Sequence, residues 1–465
     1  MKYQLPQQVK SLIDKFQKHK YQIYIVGGAI RNLLMRKEVK DWDFATDAKP
    51  EEILKVLPEG FYDNKFGTVG IQSSAISSQL SDKNQKKSDD RRLTTDDSVF
   101  EITTMRKEGI YKDSRHPQEV FWTNNIEEDL ARRDFTINAI ALSDDRIVDP
   151  FHGENDIKNK IIKAVGNPNL RFQEDALRLI RAVRIAAELE FEIEKETKNT
   201  IVQNVTLIKN IANERIRDEL FKILSSKNCY AGIVLLREVR LLQIILPELE
   251  RCFGIIQQGP KHARVYDIGE HSLLALKHTP SVNPLVRLAA LLHDIGKADT
   301  QKVDNLGNVT FYNHDVVGGN LINKISRRFN LSKKQADKLY KLIRFHMFTV
   351  DERQTDSAIR RFIKNVGLEN IDDIMALRTG DRLGGGTLTE TSWRMEKFKS
   401  RIKQVLQKPF SITDLKVNGT DVMKELNIKA GPKVGEVLQK LFEEVLEDSS
   451  KNNRDYLTQR MKKFA

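Results

Sequence analysis

The chain has 465 residues, of which 31% are charged and 40% are hydrophobic, and its formal net charge is +12. This length suits about three soluble domains, and the basic balance suggests a polyanionic partner. Its two cysteines, Cys229 and Cys252, argue against a disulfide framework, and no uninterrupted apolar run is long enough to cross a membrane. We therefore expect a cytoplasmic protein without a membrane partner.

The first informative segment runs from residue 21 to residue 47. Residues 21–26 form a short apolar run rich in β-branched side chains, which predicts a buried strand. Gly27 and Gly28 follow it directly and precede residues with helical spacing. A helix that opens on glycines presents free backbone N–H groups, which can bind phosphate at close range. Arg31 would add a charge-assisted contact to the same phosphate.

Two carboxylates follow the glycines, at Asp41 and Asp43. Residues two apart on a strand point to the same side of a sheet. Both side chains would therefore face the phosphate corner, which is the predicted phosphate-binding turn at Gly27 and Gly28. Carboxylates with no cysteine or histidine nearby suit Mg²⁺ that bridges a triphosphate. An acid-x-acid pattern is common by chance, and it is the glycine corner upstream that makes this one specific.

The segments GGAIR and DWDF resemble the nucleotidyltransferase domain of the polymerase-β superfamily. They are most similar to its class II branch, which holds the CCA-adding tRNA nucleotidyltransferases and the bacterial poly(A) polymerases. The resemblance implies an α+β fold, with a mixed-sheet nucleotidyltransferase head followed by an all-α neck, an HD-like body and a tail. We expect the head at residues 1–153, the neck at 154–250, the HD-like body at 251–398 and an RNA-anchoring tail at 399–465.

Residues 73–97 differ from the rest of the expected head. They are rich in Ser, Asp, Lys and Gln and contain no aromatic residue, so we predict a flexible insertion. The alternative is a loop that contacts RNA through its basic side chains. Those side chains are Lys83, Lys86, Lys87, Arg91 and Arg92.

A third carboxylate follows on the next predicted strand. Residues 99–106 alternate as a strand does, and Glu101 lies within them. The family carries its third metal-binding carboxylate in this position, although an exposed Glu on an edge strand is the alternative. The resemblance thus implies that Asp41, Asp43 and Glu101 hold two Mg²⁺ ions. One ion would activate the 3′ hydroxyl of the primer, and the other would stabilise the leaving pyrophosphate.

Residues 129–141 resemble the RRDF-T-x-NA motif of the family. The match implies that the residues carrying the motif bind the ribose and triphosphate of a nucleotide, since arginines suit phosphate oxygens and Asp with Asn suits ribose hydroxyls. These residues are Arg132, Arg133, Asp134 and Asn138. A surface helix with charges at its start is the alternative. The polar loop at 110–117 resembles the flexible loop that helps the family switch between nucleotides.

Residues 171–184 predict a helix that carries the sequence EDALR. Asp175 and Arg178 are three residues apart on one helical face and are predicted to pair with each other. An ordinary surface salt bridge is the alternative. In the family this motif acts as a protein template for the incoming base, with Arg181 counted among the nucleotide-binding residues. A carboxylate beside a guanidinium matches the Watson–Crick edges of cytosine and adenine and mismatches those of guanine and uracil.

A second constellation of metal ligands lies between residues 255 and 390. His271, His293, Asp294 and Asp381 resemble the HD superfamily of metal-dependent phosphohydrolases, and His314 and His346 fall in the same segment. Such ligands suit Mn, Fe or Ni. The resemblance implies hydrolysis of a 2′-phosphate or a 2′,3′-cyclic phosphate on RNA ends. Many relatives keep the helical body without metal chemistry, which is the alternative.

Together the motifs predict template-independent addition of CMP and AMP, from CTP and ATP, to the 3′ end of tRNA. They do not separate this activity from that of a poly(A) polymerase or of an enzyme that adds only CC or only A. A third hypothesis is an HD phosphohydrolase whose head is an RNA-binding module, against which the complete DWD and EDALR segments argue. The sequence leaves the oligomeric state open.

Overall fold

A computed structural model describes residue 3 and residues 5–62, 67–77, 99–109, 119–144, 146–257, 266–305, 309–351, 353–387, 389–406 and 412–464. The chain divides into two compact units, Met1–Pro247 and Glu248–Ala465. The α+β class predicted from the sequence is confirmed, because a mixed sheet lies in the first unit and helices make up most of the second.

The first unit is built on a seven-stranded sheet. Among the described residues up to Val148, the strands are β1 Ile23–Val26, β2 Trp42–Thr46, β3 Phe61–Tyr62, β4 Thr68–Gln72, β5 Val99–Thr104, β6 Arg106–Glu108, β7 Val120–Trp122, β8 Ala141–Ser143 and β9 Arg146–Val148. The sheet has the order β3-β4-β5-β2-β1-β8-β9, and β6 pairs separately with β7. Strands β2 and β5 are parallel and the other neighbours are antiparallel. The parallel pair places the DWDF strand beside the strand that carries Glu101.

Helices surround this sheet and continue along the unit. They are α1 Gln7–Lys18, α2 Gly27–Leu34, α3 Pro50–Val56, α4 Ser73–Ser77, α5 Ile126–Ala131, α6 Gly153–Asn159, α7 Pro168–Glu174, α8 Leu177–Leu189, α9 Lys195–Asn204, α10 Asn213–Ser225, α11 Cys229–Glu238 and α12 Leu242–Ile245. Short strands β10 Ile161–Ile162 and β11 Glu192–Ile193 form a parallel pair. Helix α1 packs Leu12 and Phe16 against the sheet core that includes Ile25 and Phe44. Apolar residues three and four apart on α1 therefore fix this helix on the sheet.

In the part that the structure describes, the second unit is helical, with two small strand pairs. Its helices are α13 Pro247–Glu250, α14 Ile268–His278, α15 Pro284–Leu292, α16 Lys297–Thr300, α17 His314–Arg328, α18 Lys333–Arg344, α19 Asp356–Val366, α20 Ile371–Gly384, α21 Trp393–Leu406, α22 Gly419–Leu426, α23 Pro432–Glu447 and α24 Arg454–Met461. Its strands are β12 Ile256–Gln257, β13 Tyr266–Asp267, β14 Lys302–Val303 and β15 Val309–Thr310. Fully buried Arg360 on α19 donates to the carbonyls of Val445 and Leu446, which ties α19 to the end of α23.

Two segments singled out from the sequence fall largely outside the described residues. Of the predicted insertion at 73–97, residues 73–77 form α4 with Ile76 buried, and residues 78–97 are not among those described. The loop at 110–117 also lies outside the described ranges. Among the described helices, none combines the length and the apolar character that a membrane span requires.

Candidate active site

The predicted phosphate corner forms where β1 meets α2. Gly27 is the first residue of α2 and has a φ of +68°, a left-handed conformation that favours glycine. A Cβ atom placed there would lie 3.0 Å from Asp43 Oδ2 and 3.3 Å from Arg133 Nη1. Any larger residue at 27 would therefore be strained and would crowd the two charged side chains. The backbone at Gly27 lies beside the groups predicted to hold a metal and a phosphate.

The three predicted metal carboxylates lie at one end of the parallel strand pair. Asp43 on β2 is directly opposite Glu101 on β5, and exposed Asp41 comes one residue before β2. Burial raises the pKa of Asp43 to about 6, with further contributions from the charges of Glu101 and Asp41 that outweigh Arg133 and Arg31. A carboxylate that is buried beside two others is stabilised by a cation. This donor set of oxygens therefore fits a divalent ion.

The head carboxylates are less tightly grouped than the ligands of the second unit. Among the described residues, the sets of three such ligand atoms within 4.8 Å of one another both lie in the HD-like body. Asp43 and Glu101 instead line an open cavity of about 330 Å³, together with Arg106, Arg132 and Arg133. The cavity thus joins two carboxylates to three arginines, which is a suitable environment for a metal-bound triphosphate. Arg106 was not predicted as a site residue.

Buried Asp129 orients two of these arginines. Its Oδ1 accepts from Arg132 Nε at 2.9 Å and Nη2 at 2.7 Å, and its Oδ2 accepts from Arg133 Nη2 at 3.1 Å. Burial alone would raise the pKa of Asp129, but both arginines outweigh it and the pKa is lowered. Asp129 on α5 lies four residues before Arg133, which follows the end of that helix, and this short spacing is a signal for the role that the sequence already offered.

Asp134 and Asn138 form a continuous hydrogen-bonded chain between Arg31 and Arg181. Arg31 Nη1 donates to Asn138 Oδ1 at 2.9 Å, and Asn138 Nδ2 donates to Asp134 Oδ1 at 3.1 Å. Arg181 donates to Asp134 Oδ2 from Nε at 2.9 Å and from Nη2 at 2.6 Å. Burial would raise the pKa of Asp134, but Arg181 and Asn138 lower it. The chain fixes Arg31 of the glycine corner relative to α8.

The Asp134 carboxylate is fully engaged with protein groups. Besides Asn138 and Arg181, it accepts from the backbone N–H of Phe135 at 2.8 Å. Four accepted hydrogen bonds fill the capacity of a carboxylate. In this structure Asp134 therefore positions its neighbours instead of offering free oxygens to a ribose.

The predicted pairing of Asp175 with Arg178 is wrong. The helix expected over 171–184 is interrupted, because α7 ends at Glu174 and Asp175 has an extended backbone before α8 begins at Leu177. Asp175 Oδ1 accepts from the N–H of Leu177 at 3.0 Å and so caps α8. Its Oδ2 accepts from Arg215 Nη2 at 3.2 Å.

Arg178 has a different set of partners. Its Nη1 donates to Glu174 Oε2 at 2.7 Å and to the carbonyl of Arg171 at 3.1 Å. Its Nη2 donates to the carbonyl of Arg132 at 2.8 Å, at the end of α5. Arg178 therefore fastens the EDALR segment to the backbone at Arg132, which directly follows α5. Glu174, which had no predicted role, is the carboxylate that holds Arg178.

The HD-like body gathers its four predicted ligands around one point. His271 Nε2 lies 3.2 Å from His293 Nε2 and 3.2 Å from Asp381 Oδ1, and His293 Nε2 lies 3.1 Å from Asp294 Oδ2. Donor atoms at these separations fit around one transition-metal ion with bonds of about 2.0–2.2 Å. The first group of ligands is thus His271, His293 and Asp381, with Asp294 beside it.

A second group of ligands adjoins the first and was only partly anticipated. Asp294 Oδ1 lies 3.3 Å from His314 Nε2 and 3.7 Å from His346 Nε2, and these two nitrogens are 3.3 Å apart. Asp294 therefore connects the two groups, because its Oδ1 belongs to the second group while its Oδ2 lies next to His293 of the first. His314 and His346 are more than 30 residues apart in sequence, so no local spacing pointed to their meeting.

Backbone carbonyls orient three of the imidazoles. The Nδ1 atoms of His293, His314 and His346 lie 2.8, 2.9 and 2.7 Å from the carbonyl oxygens of Ala290, Phe311 and Ile343. Such contacts fix the ring and direct Nε2 toward a metal. All three Nε2 atoms face the two ligand groups.

The buried carboxylates of the HD-like body favour positively charged neighbours. Burial lowers the pKa of His293, but Asp294 and Asp381 outweigh burial and raise it to about 10. Burial raises the pKa of Asp294, but His293 and Lys297 outweigh it and hold that pKa well below its usual range. Lys297 Nζ also donates to Asp294 Oδ2 at 2.6 Å. The proton on His293 and the ammonium group of Lys297 thus balance carboxylate charges that a bound metal ion would otherwise neutralise.

Comparison with known proteins matches four segments of the chain to described families. These are the "Poly A polymerase head domain" at residues 23–163, the "Probable RNA and SrmB- binding site of polymerase A" at 190–253, the "HD domain" at 268–368 and the "tRNA nucleotidyltransferase domain 2 putative" at 319–461. Together the matches extend over most of the chain, the last two overlap at residues 319–368, and all four agree with the resemblance that the motifs gave.

Comparison with individual proteins also finds CCA-adding enzymes. The CCA-adding enzyme of Ligilactobacillus salivarius is 29% identical over 97% of this chain and 95% of its own length. That of Geobacillus sp. is 37% identical over 52% of this chain, and the alignment spans about half (55%) of its own length. The crystal structure of the Bacillus stearothermophilus CCA-adding enzyme in complex with CTP shares the fold, with a TM-score of 0.69, 24% identity and coverage of 99% of this chain and 98% of that one. The chain therefore carries a poly(A) polymerase head domain and an HD domain, and over nearly its whole length it is similar to CCA-adding enzymes.

Proposed function

We propose that the protein adds CMP and AMP, from CTP and ATP, to the 3′ end of tRNA without a nucleic-acid template. The observation that carries this proposal is the head cavity, where Asp43 and Glu101 face Arg132 and Arg133 beside Gly27. Relatives named CCA-adding enzyme support it, one of them solved with bound CTP. The net charge of +12 suits a polyanionic substrate such as tRNA.

Similarity to nucleotidyltransferases suggests dependence on a divalent metal, and we propose Mg²⁺ because the three ligands predicted in the head are all carboxylates. Asp41, Asp43 and Glu101 would hold two ions. When bound, such ions lower the pKa of the 3′ hydroxyl of the primer and stabilise the leaving pyrophosphate. Arg132 and Arg133 hold the triphosphate by charge-assisted hydrogen bonds, and Gly27 lets it approach the backbone.

Base selection is assigned to Asp175 and Arg178. Cytosine and adenine present an exocyclic amine beside an acceptor ring nitrogen, which suits one carboxylate acceptor and one guanidinium donor. Guanine and uracil present the reverse order and would leave polar groups unpaired. Because Arg215 holds Asp175 and Glu174 holds Arg178, the two reading groups are oriented separately. Arg31, Arg181, Asp134 and Asn138 support the pocket through their hydrogen-bonded chain.

Residues 399–465 are assigned to anchoring of tRNA, with recognition through shape and backbone. Helices α22, α23 and α24 share one apolar core, centred on Val422, Leu441 and Leu457, which gives this segment a rigid frame. Binding through a basic surface predicts that affinity for tRNA falls steeply as salt rises. An affinity that is independent of salt would overturn this assignment.

The deciding experiment is an incorporation assay with Mg²⁺ and labelled CTP or ATP. The acceptors are tRNAs that end before CCA, after CC and after CCA, together with an unstructured RNA. Addition of C, C and A followed by arrest, on tRNA alone, would establish CCA addition. Long A tracts on any RNA would instead establish a poly(A) polymerase. Addition of only CC or only the final A would identify a partial enzyme.

The HD-like body supports a second candidate function, metal-dependent hydrolysis of phosphoesters at RNA ends. The observation that favours it is the pair of neighbouring ligand groups, since Asp294 of the second group also lies 3.1 Å from His293 Nε2 of the first. Imidazoles with carboxylates suit Mn, Fe or Ni. The test is metal analysis of protein purified without chelator, followed by assays on RNA with a 2′-phosphate or a 2′,3′-cyclic phosphate. Protein without transition metal, or with metal and no hydrolysis, would reject this function.

A further inference from the structure

Two neighbouring hollows of the second unit share one wall. The first, of about 590 Å³, contains the metal-ligand groups His271, His314, His346, Asp294 and Asp381. The second, of about 540 Å³, is lined by residues 347–351 and 392–394. Met347, Arg378 and Arg382 line both hollows. The two hollows are therefore adjacent, and a ligand bound at the metal groups can extend past these three side chains into the second hollow.

Arg382 differs from the other cations of this wall. Arg378 Nη1 donates to Asp381 Oδ2 at 3.0 Å, and Lys297 Nζ is bonded to Asp294 and to Gln257. For Arg382, the described part of the chain supplies no ion pair and no hydrogen bond to its guanidinium, and its Nε is buried without a partner. An unpaired guanidinium next to a metal centre is suited to bind a phosphate oxygen.

Exposed aromatic side chains stand at both hollows. Tyr312 lines the first hollow and is 78% exposed, and Trp393 lines the second and is 62% exposed. The guanidinium of Arg394 lies 5.2 Å from the Trp393 ring. Large aromatic faces left in solvent beside cationic groups match a flat, electron-rich ring such as a nucleobase.

We propose that this double hollow binds a nucleoside phosphoester, with its phosphate at Arg382 and the metal groups and its base against Trp393. The two volumes together suit a nucleotide with room for a neighbouring unit. The same chemistry is offered by a free nucleotide and by the end of an RNA strand. The inference names the ligand class of the second candidate function and depends on that function only for the hydrolytic step after binding.

The test uses the full chain loaded with Mn²⁺ and the fluorescent probe 2-aminopurine ribonucleoside monophosphate. Stacking on Trp393 quenches this base, and phosphate binding by Arg382 sets its affinity. We expect Arg382→Gln to weaken binding about tenfold. Trp393→Ala should remove the quenching, while Trp393→Phe should retain most of it, because a phenyl ring also stacks.

Two control variants isolate the site. Arg361→Gln removes the same charge from an exposed position on α19 and should leave the titration unchanged. Arg133→Gln weakens any binding in the head cavity, so the signal that persists in it belongs to the second unit. Wild-type affinity and quenching in both Arg382→Gln and Trp393→Ala would overturn the proposal.

Two further measurements distinguish a free nucleotide from an RNA end as the ligand, and distinguish binding from hydrolysis. A five-nucleotide RNA ending in 2-aminopurine with a 3′-phosphate should bind at least tenfold tighter than the mononucleotide if an RNA end is the ligand, and equally if a free nucleotide is. Hydrolysis of para-nitrophenyl phosphate is measured alongside. Binding without hydrolysis would reject the phosphohydrolase and keep the binding site. Hydrolysis whose KM for para-nitrophenyl phosphate is unaffected by Arg382→Gln would keep the phosphohydrolase and reject the binding site.

Discussion

Arg215 on α10 holds Asp175 by a hydrogen bond of 3.2 Å from its Nη2 to the carboxylate Oδ2. Asp175 is the residue at which α7 and α8 separate, so this bond orients one of the two groups assigned to base selection. We predict that Arg215→Gln lowers discrimination of CTP over UTP by about tenfold, because a mobile carboxylate no longer penalises the wrong base. Single-nucleotide incorporation with each of the four triphosphates measures the ratio.

The neighbouring Arg217 provides the control for that experiment. Its guanidinium pairs at 2.7 Å with Asp218 on the same helix, a different carboxylate from the one that Arg215 holds. Arg217→Gln should keep the discrimination of the parent protein. Equal losses in both variants would mean that α10 as a whole, and not the Arg215–Asp175 bond, sets base choice.

Asp43→Asn should reduce nucleotide incorporation by about a thousandfold, because the amide cannot replace a carboxylate at a divalent ion. Circular dichroism should show an unchanged fold, since the two side chains have the same shape. Asp47→Asn is the matched control, because Asp47 follows the same strand and accepts a hydrogen bond from the N–H of Gln22 at 2.8 Å. Activity near that of the parent in Asp43→Asn would reject the proposed metal site.

Asp134→Asn should lower the free energy of unfolding by about 2–4 kcal/mol, because Arg181 then lacks its buried partner. The pKa of Asp134 is lowered in the folded protein, so its stabilisation is complete above the unfolded pKa of about 3.9 and is lost as the pH falls below it. Chemical denaturation at pH 7 therefore measures the whole difference, and it should shrink toward pH 3. Asp218→Asn, an exposed carboxylate in a surface pair, should change stability by less than about 0.5 kcal/mol.

Metal content should respond separately to the two ligand groups of the HD-like body. We predict about two transition-metal ions per chain in the parent protein, and a loss of about one in His314→Ala. His278→Ala is the control, because His278 is exposed at the end of the helix that carries His271. Mass spectrometry of acid-digested protein gives the stoichiometry. One ion in both the parent and His314→Ala would show that the second group does not bind metal.

Local patterns in the sequence were sufficient where one segment carries the whole feature. The strand before Gly27, the alternation at 99–106 and the adjacent His293 and Asp294 each lie in a few consecutive residues, and the structure has β1, β5 and the HD ligands there. The pairing of Asp43 with Glu101 followed from the family resemblance, since only strand order brings them together.

Features that depend on tertiary contacts or on a helix break were missed. Helical spacing predicted that Asp175 pairs with Arg178, yet the Asp175 side chain caps α8 and ends the regular spacing at that residue. Asp129 and Glu174 each precede the arginine that they hold by four residues, but the same spacing does not show which carboxylate an arginine selects, and their orienting roles were not predicted. His314 and His346 meet only because α17 packs on α18.

The hydrogen-bonded chain from Arg31 to Arg181 also bears on how the molecule can be dissected. A fragment cut at residue 153 would keep Asp134 and Asn138 but discard Arg181. It would also discard Arg178, which donates a hydrogen bond to the carbonyl of Arg132. The excised sheet would then carry an uncompensated buried carboxylate next to its own glycine corner. A minimal expression fragment of the catalytic end should therefore extend to Pro247, where the first compact unit ends.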